Sequence, residues 1–253
     1  MLTTSGLGVG IAATQFIRRG LMVDVVEYDQ VVYDSAAKYF SYGKKRPRSH
    51  AITDGAAYVR DAASAKRGNP DAPRWNYVVQ DCFSAGSLPV ELFTTEFWND
   101  VQDVLTPDGV VVMNFAGIID SRASRKVVRT LLSVFPQCRV FSDLEHIDRH
   151  AACNLVFVCS GTYDPLLTFR RATFEDIDNS SIRNLVYRTF IKNEVPVDSF
   201  LLEADWEDPS MVLHTGDRLD YWNDAVASWH LIEKSECSRS ALSRALPLPL
   251  FCP

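Results

Sequence analysis

Nowhere in its 253 residues does the chain hold an apolar run of the roughly 18 residues a helix needs to cross a bilayer, so no membrane span is expected. Its opening, MLTTSGLGVG, has neither a basic start nor a continuous apolar stretch, and a secretory leader is not expected there. The six cysteines (Cys82, Cys138, Cys153, Cys159, Cys237, Cys252) form no C-x-x-C and no metal-ligand spacing with the five histidines. Structural zinc, any other metal and a disulfide framework are therefore not expected, and the expected setting is a reducing cytoplasm. Positive charge is short as well: a net charge of −6 argues against a partner bound through its phosphate backbone. Glycine and proline, twelve each, are too few for a collagen-like or low-complexity chain. No G-x-S-x-G elbow, H-E-x-x-H or G-K-[ST] loop occurs. What is present, 47% hydrophobic, 23% charged and 11% aromatic, is the composition of an ordinary globular protein.

The first two-thirds of the chain alternates in period. Strand-like segments at Leu2 to Ser5, Leu21 to Glu27, His50 to Thr53, Trp75 to Gln80 and Val110 to Asn114 alternate with helical patterns. Those helices are expected at Ile11 to Arg19, closed by Gly20 as a left-handed cap, and at Val31 to Phe40, Gly55 to Ala65, Glu91 to Leu105 and Arg122 to Phe135. In the last of them Leu131, Leu132, Val134 and Phe135 form the expected buried set, and Pro107-Asp108-Gly109 is expected to turn the chain into the fifth strand. Repeated strand–helix alternation means a parallel sheet covered on both faces. Cys138 to Ser142 and Leu155 to Ser160 break the alternation, because only a polar connection separates them, and they are expected to pair antiparallel at one edge. That pattern is similar to the class I fold that binds S-adenosylmethionine: α/β, Rossmann-like, with a mostly parallel seven-stranded sheet and an antiparallel C-terminal hairpin. The expected organisation is a nucleotide-binding domain over 1–160 and a helical extension over 161–253. Within the extension, helices are expected at Phe174 to Phe190, with Thr173 as cap, and at Asp220 to Glu233, followed by a poorly ordered tail from Ser235.

Gly6, Gly8 and Gly10 lie between the first strand and first helix, where a nucleotide can approach the backbone and meet free N–H groups. A dinucleotide fingerprint would place Gly or Ala where Ile11 stands, which disfavours nicotinamide chemistry. Glu27 ends the second strand 21 residues after Gly6, at about the distance from which an acid accepts ribose hydroxyls. Tyr28 can pack on an adenine face or be a core tyrosine. Asp54-Gly55 can accept from an adenine amino group or simply form a turn. Asp81 ends the fourth strand, across the crevice from the first, and can orient a nucleophilic amine, take its proton or stabilise a sulfonium; the alternative is a cap or loop aspartate. Glu91 is expected to open a helix, and Lys44-Lys45-Arg46-Pro47-Arg48 to be a solvated loop.

GLGVG at Gly6, VVEYD at Val25, VVYDSAAKYF at Val31, TDGAAYV at Thr53, Asp81 with PVELFTTEFW at Pro89, and PDGVVVMN at Pro107 together resemble the spermidine synthase-like, or polyamine aminopropyltransferase-like, branch of the class I methyltransferase fold. The resemblance covers roughly residues 5 to 117. It implies that Gly8 lines the methionine portion, Glu27 holds the ribose, Asp54 and Gly55 contact adenine, and Asp81 stands at the catalytic aspartate. The implied co-substrate is S-adenosylmethionine or its decarboxylated form. The implied reaction moves an aminopropyl or methyl group to a small-molecule acceptor, and a homodimer is an expected assembly. Two departures stand out. Where the family carries D-S-S-D-P-x-G-P, this chain has Asp81-Cys82-Phe83-Ser84-Ala85-Gly86, so Ser84 replaces an amine-binding acid. The family's N-terminal β-rich segment is not expected within this sequence, whose first strand reads as clipped. From another class of function, the chain could keep the nucleotide fold for binding alone.

Overall fold

The computed structural model describes residues 2–42, 47–82, 89–142, 144, 146–177 and 180–217. The expected helix at 220–233, the tail from Ser235, the stretch Ser84 to Gly86 and the basic run at Lys44 to Arg46 lie outside the described residues.

Five strands, β1 (Leu2–Ser5), β2 (Val23–Glu27), β3 (Ser49–Ile52), β4 (Trp75–Gln80) and β5 (Leu105–Ile118), run parallel. Between them lie α1 (Ile11–Arg18), α2 (Gln30–Tyr39), α3 (Gly55–Gly68) and α4 (Thr95–Val104), with α5 (Arg122–Val134) after β5. Gly20 does take the left-handed conformation, at φ +82°. The hairpin of β6 (Gln137–Ser142) and β7 (Ala152–Ser160) is antiparallel, with β7 inserted between β5 and β6. A two-residue strand, β8 (Glu194–Val195), then adds to the outer edge of β6. Among the described residues the sheet is thus mixed and has eight strands in the order β3-β2-β1-β4-β5-β7-β6-β8, one more than the seven expected. A two-residue strand carries no periodicity to read, so only pairing reveals it.

Other boundaries moved for identifiable reasons. The helix expected from Glu91 starts at Thr95, because Thr94 is extended and its Oγ1 accepts from the Phe97 N–H at 3.3 Å. Glu91 instead sits in a short 3-10 turn, Val90–Phe93. Pro107-Asp108-Gly109 does not precede β5 but bulges within it: Trp75 faces Leu105 while Tyr77 already faces Val110. Beyond Asn114 the strand runs on to Ile118 because β7 pairs with it along nine residues. In α5, Leu131 is buried and Phe135 is buried just after it, but Leu132 and Val134 are only partly covered; Val127 and Val128 take the inner face instead. The helix expected over 174–190 is broken into α6 (Phe174–Ile177) and α7 (Ser181–Thr189), followed by a 3-10 turn. The Asp176 carboxylate folds back on the Thr173 N–H at 2.8 Å, and Ser180 Oγ accepts from the Arg183 N–H at 3.3 Å, restarting the helix.

Cys138 and Cys159 face each other across β6 and β7, with Cα atoms 4.1 Å apart, and are joined as a disulfide. This corrects the expectation of unpaired cysteines. A separation of 21 residues is no signal by itself; the hairpin register creates the pairing.

The larger core lies on the face covered by α3, α4 and α5 and includes Phe93, Trp98, Phe115, Phe135 and Phe157. Val195, Phe200 and Leu213 join it, so the described part of 161–217 shares this core. A smaller cluster under α1 and α2 holds Leu7, Ala13, Val25, Ala36, Tyr42 and Val79. Fully burying each such Val, Leu or Phe side chain stabilises the fold by roughly 1.5–3 kcal/mol.

One buried charge interrupts β2. Asp24 is fully buried and receives the Arg48 guanidinium on both oxygens, Ser49 Oγ at 2.5 Å and Trp75 Nε1 at 2.9 Å. Burial alone would push its carboxyl up, but the three hydrogen-bonding partners outweigh it and hold the group below its ordinary value. Asp24→Ala is expected to cost about 2–4 kcal/mol, since it leaves the buried Trp75 Nε1 without its acceptor and removes the carboxylate that Arg48 and Ser49 hold. Because the folded-state value is depressed, Asp24 contributes its full stabilisation above the unfolded carboxyl value of about 3.9. That contribution disappears as pH falls through the folded value. Chemical denaturation of both forms at pH 7 and in acid should show the gap between them narrowing; a constant gap would exclude this linkage.

Candidate active site

The sheet winds outward from β1 to β3, then returns to place β4 on the other side of β1. Open α/β sheets bind ligands where the strand order reverses, outside the carboxyl ends. Here that point lies between Ser5 and Gln80, which are register partners.

The three glycines of the first turn do different things. All have positive φ: +87° at Gly6, +54° at Gly8 and +77° at Gly10. A Cβ on Gly6 would stand 2.1 Å from the Asp81 carbonyl oxygen, so this glycine lets the turn close against the end of β4. A Cβ on Gly10 would meet the Tyr42 ring at 2.7 Å, and Gly10 also begins α1 without a side-chain cap. Gly8 alone faces open space. Beside it lies a hollow of about 300 Å³ walled by Val9, Val31, Val32, Ala36 and Phe40. Its walls are almost wholly apolar, and Asp81 is not among them.

Glu27 is nearly buried at the end of β2. Its Oε2 accepts the Leu7 N–H at 2.9 Å and its Oε1 accepts the Asp29 N–H at 3.0 Å. The acid therefore braces the glycine turn, a role its spacing did not announce. Two backbone hydrogen bonds leave about half of a carboxylate's acceptor sites unused. Tyr28 is 77% exposed, which removes the core-tyrosine alternative and leaves its ring face uncovered. Asp54 caps α3 by accepting the Ala57 N–H at 2.8 Å through Oδ1, and Gly55 is the first residue of that helix.

Asp81 follows β4 with its carboxylate exposed, and its Oδ1 accepts from Asn114 Nδ2 at 2.9 Å. Sequence reading missed Asn114, although a polar residue ending a run of Val110, Val111, Val112 and Met113 was the available signal. Around the glycine turn, Gly6 thus packs on the backbone of Asp81, Glu27 holds the Leu7 N–H, and Asn114 tethers the Asp81 carboxylate. Among the described residues, no group of three His, Cys, Asp or Glu side chains is placed to hold a metal ion, and no helix is long and apolar enough to cross a membrane.

Residues 13–143, just over half of the chain, match the spermine/spermidine synthase domain model. The chain belongs to that family. An N-terminal histidine N-methyltransferase of Emericella nidulans is 34% identical over 71% of this chain and 31% of its own length. A probable polyamine aminopropyl transferase of Bifidobacterium longum is 29% identical over 51% of this chain and 28% of its own. The chain therefore spans less than a third of either relative. Among solved structures, a probable spermidine synthase from Corynebacterium glutamicum superposes with a TM-score of 0.61 at 18% identity, covering 86% of this chain and 72% of that one. Human methyltransferase-like protein 13, solved in complex with SAH, gives 0.55 at 24% identity, covering 74% and 81%. These two support the Rossmann-like methyltransferase-type fold of this family member.

Proposed function

We propose that this family member is an S-adenosylmethionine-dependent transferase that methylates a nitrogen nucleophile, with a polypeptide's N-terminal histidine as acceptor. The observation that carries the reading is the Asp81 carboxylate, exposed, tethered by Asn114, and pressed through its own backbone against the glycine turn. S-adenosylmethionine would supply an electrophilic methyl group on a sulfonium. Gly8 gives its methionyl portion room, the spare acceptor sites of Glu27 suit ribose hydroxyls, and Tyr28 offers a ring to adenine. Asp81 orients the acceptor nitrogen so that its lone pair displaces the methyl in line, the S–C electron pair returning to sulfur. The free oxygen of Asp81 then accepts the proton the alkylated nitrogen sheds. Methyl transfer and histidine are supported by the Emericella relative's name, and by the sequence at position 84, where a serine stands in place of an acid of the family's pattern.

Aminopropyl transfer from decarboxylated S-adenosylmethionine to a small amine is the second reading. It is supported by the family match and by the Bifidobacterium relative. Mass spectrometry separates the two. The chain would be offered either donor with a peptide beginning in histidine, the same peptide acetylated at its N-terminus, and the diamine putrescine. One added methyl on the free histidine peptide alone is expected. An aminopropylated diamine instead would establish the second reading, and calorimetry showing no binding of either donor would leave only a nucleotide-free fold.

A further inference from the structure

Register places Val79 opposite Val112 and Gln80 opposite Met113, so the next pair along β4 and β5 is Asp81 and Asn114. Gln80 has a buried amide without a partner, but alternation turns it to the opposite sheet face, and it cannot serve Asp81. Asn114 can. Its Nδ2 donates to Asp81 Oδ1, while its own Oδ1 is buried and receives no hydrogen bond among the described residues. An unsatisfied buried carbonyl is destabilising. Residue 114 lies across from Val156 on β7 and follows Val110, Val111 and Val112, a setting that suits a β-branched apolar side chain. The amide is therefore unfavourable for the fold and is explained by its one contact.

We infer that Asn114 is a positioning residue for the transfer reaction: it holds one oxygen of Asp81 so that the other faces the acceptor nitrogen. The inference rests on the transferase reading. Asparagine suits the task better than a basic residue because it donates to the carboxylate without neutralising it. Asp81 thus stays oriented and still able to take a proton. The nitrogen that attacks loses its proton to Asp81 Oδ2 as the N–C bond forms and the S–C bond breaks; Asn114 exchanges no proton.

Asn114→Val tests this in a way a purely structural role would not satisfy. The expected result is a Tm higher by about 2–4 °C, kcat lower by at least tenfold, and donor affinity by calorimetry within about twofold of the unsubstituted chain. Unchanged kcat overturns the inference, as does a kcat loss accompanied by parallel losses of Tm and donor affinity. Asn114→Asp supplies the second readout. Two adjacent carboxylates raise the value at which the pair loses its last proton, so the rising limb of the pH–kcat profile should move up by about one unit or more. An unmoved limb overturns the inference. If the unsubstituted chain neither binds nor uses a donor, the transferase reading fails and takes the inference with it. If it turns over and the Asn114 variants behave like it, the inference alone fails.

Discussion

Asp81→Asn should lower turnover by roughly 10²–10⁴-fold, the usual contribution of a positioned acid–base group. Donor affinity should be nearly unchanged. The substitution is informative because the new side-chain amide can still present a carbonyl to Asn114 Nδ2, which lies 2.9 Å from the native carboxylate oxygen. The local geometry therefore survives while the proton acceptor is lost. Single-turnover rates with a saturating donor, beside calorimetric donor binding, measure the two quantities separately. Turnover within about threefold of the unsubstituted chain would remove Asp81 from the mechanism. Loss of donor binding would assign it to the donor site instead.

The second large effect divides the glycine turn. Gly6→Ala is expected to destabilise the fold by about 3 kcal/mol or more, because the new Cβ would stand 2.1 Å from a backbone oxygen that cannot move without displacing Asp81. Gly8→Ala meets no neighbouring atom and carries only the strain of its positive φ, about 1 kcal/mol. Its expected consequence, under the proposed function, is a loss of donor affinity of tenfold or more, since the methyl would enter open space that the donor is proposed to fill. Thermal unfolding and calorimetry of both variants should therefore rank them in opposite orders. Equal destabilisation with unchanged donor affinity would show that Gly8 serves packing alone.

Much of this was readable from residue order. The alternation of periods in residues 2–135 predicted five strands and five helices, and the polar link between Cys138 and Leu155 predicted an antiparallel hairpin. The misplaced boundaries share a cause: each was decided by a partner distant in sequence or by one local hydrogen bond. β5 outran its expected end because β7 offered nine residues of pairing, and Thr94 and Ser180 start helices through single side-chain caps.

The same division runs through the site. That the glycines would lie between a strand and a helix, and the acids at 27 and 81 at strand ends, was legible because a strand–turn–helix unit confines such residues to a few positions along the chain. That Glu27 also braces the Leu7 N–H, that Gly6 answers to Asp81, and that Cys138 meets Cys159 could not be read locally. Each depends on which strands become neighbours. The chain alone therefore determined the class of fold and the types of chemistry-bearing residue. Tertiary structure decided the partnerships, above all Asp81 with Asn114, because contact across a sheet depends on strand order and register, and neither is encoded at any single position.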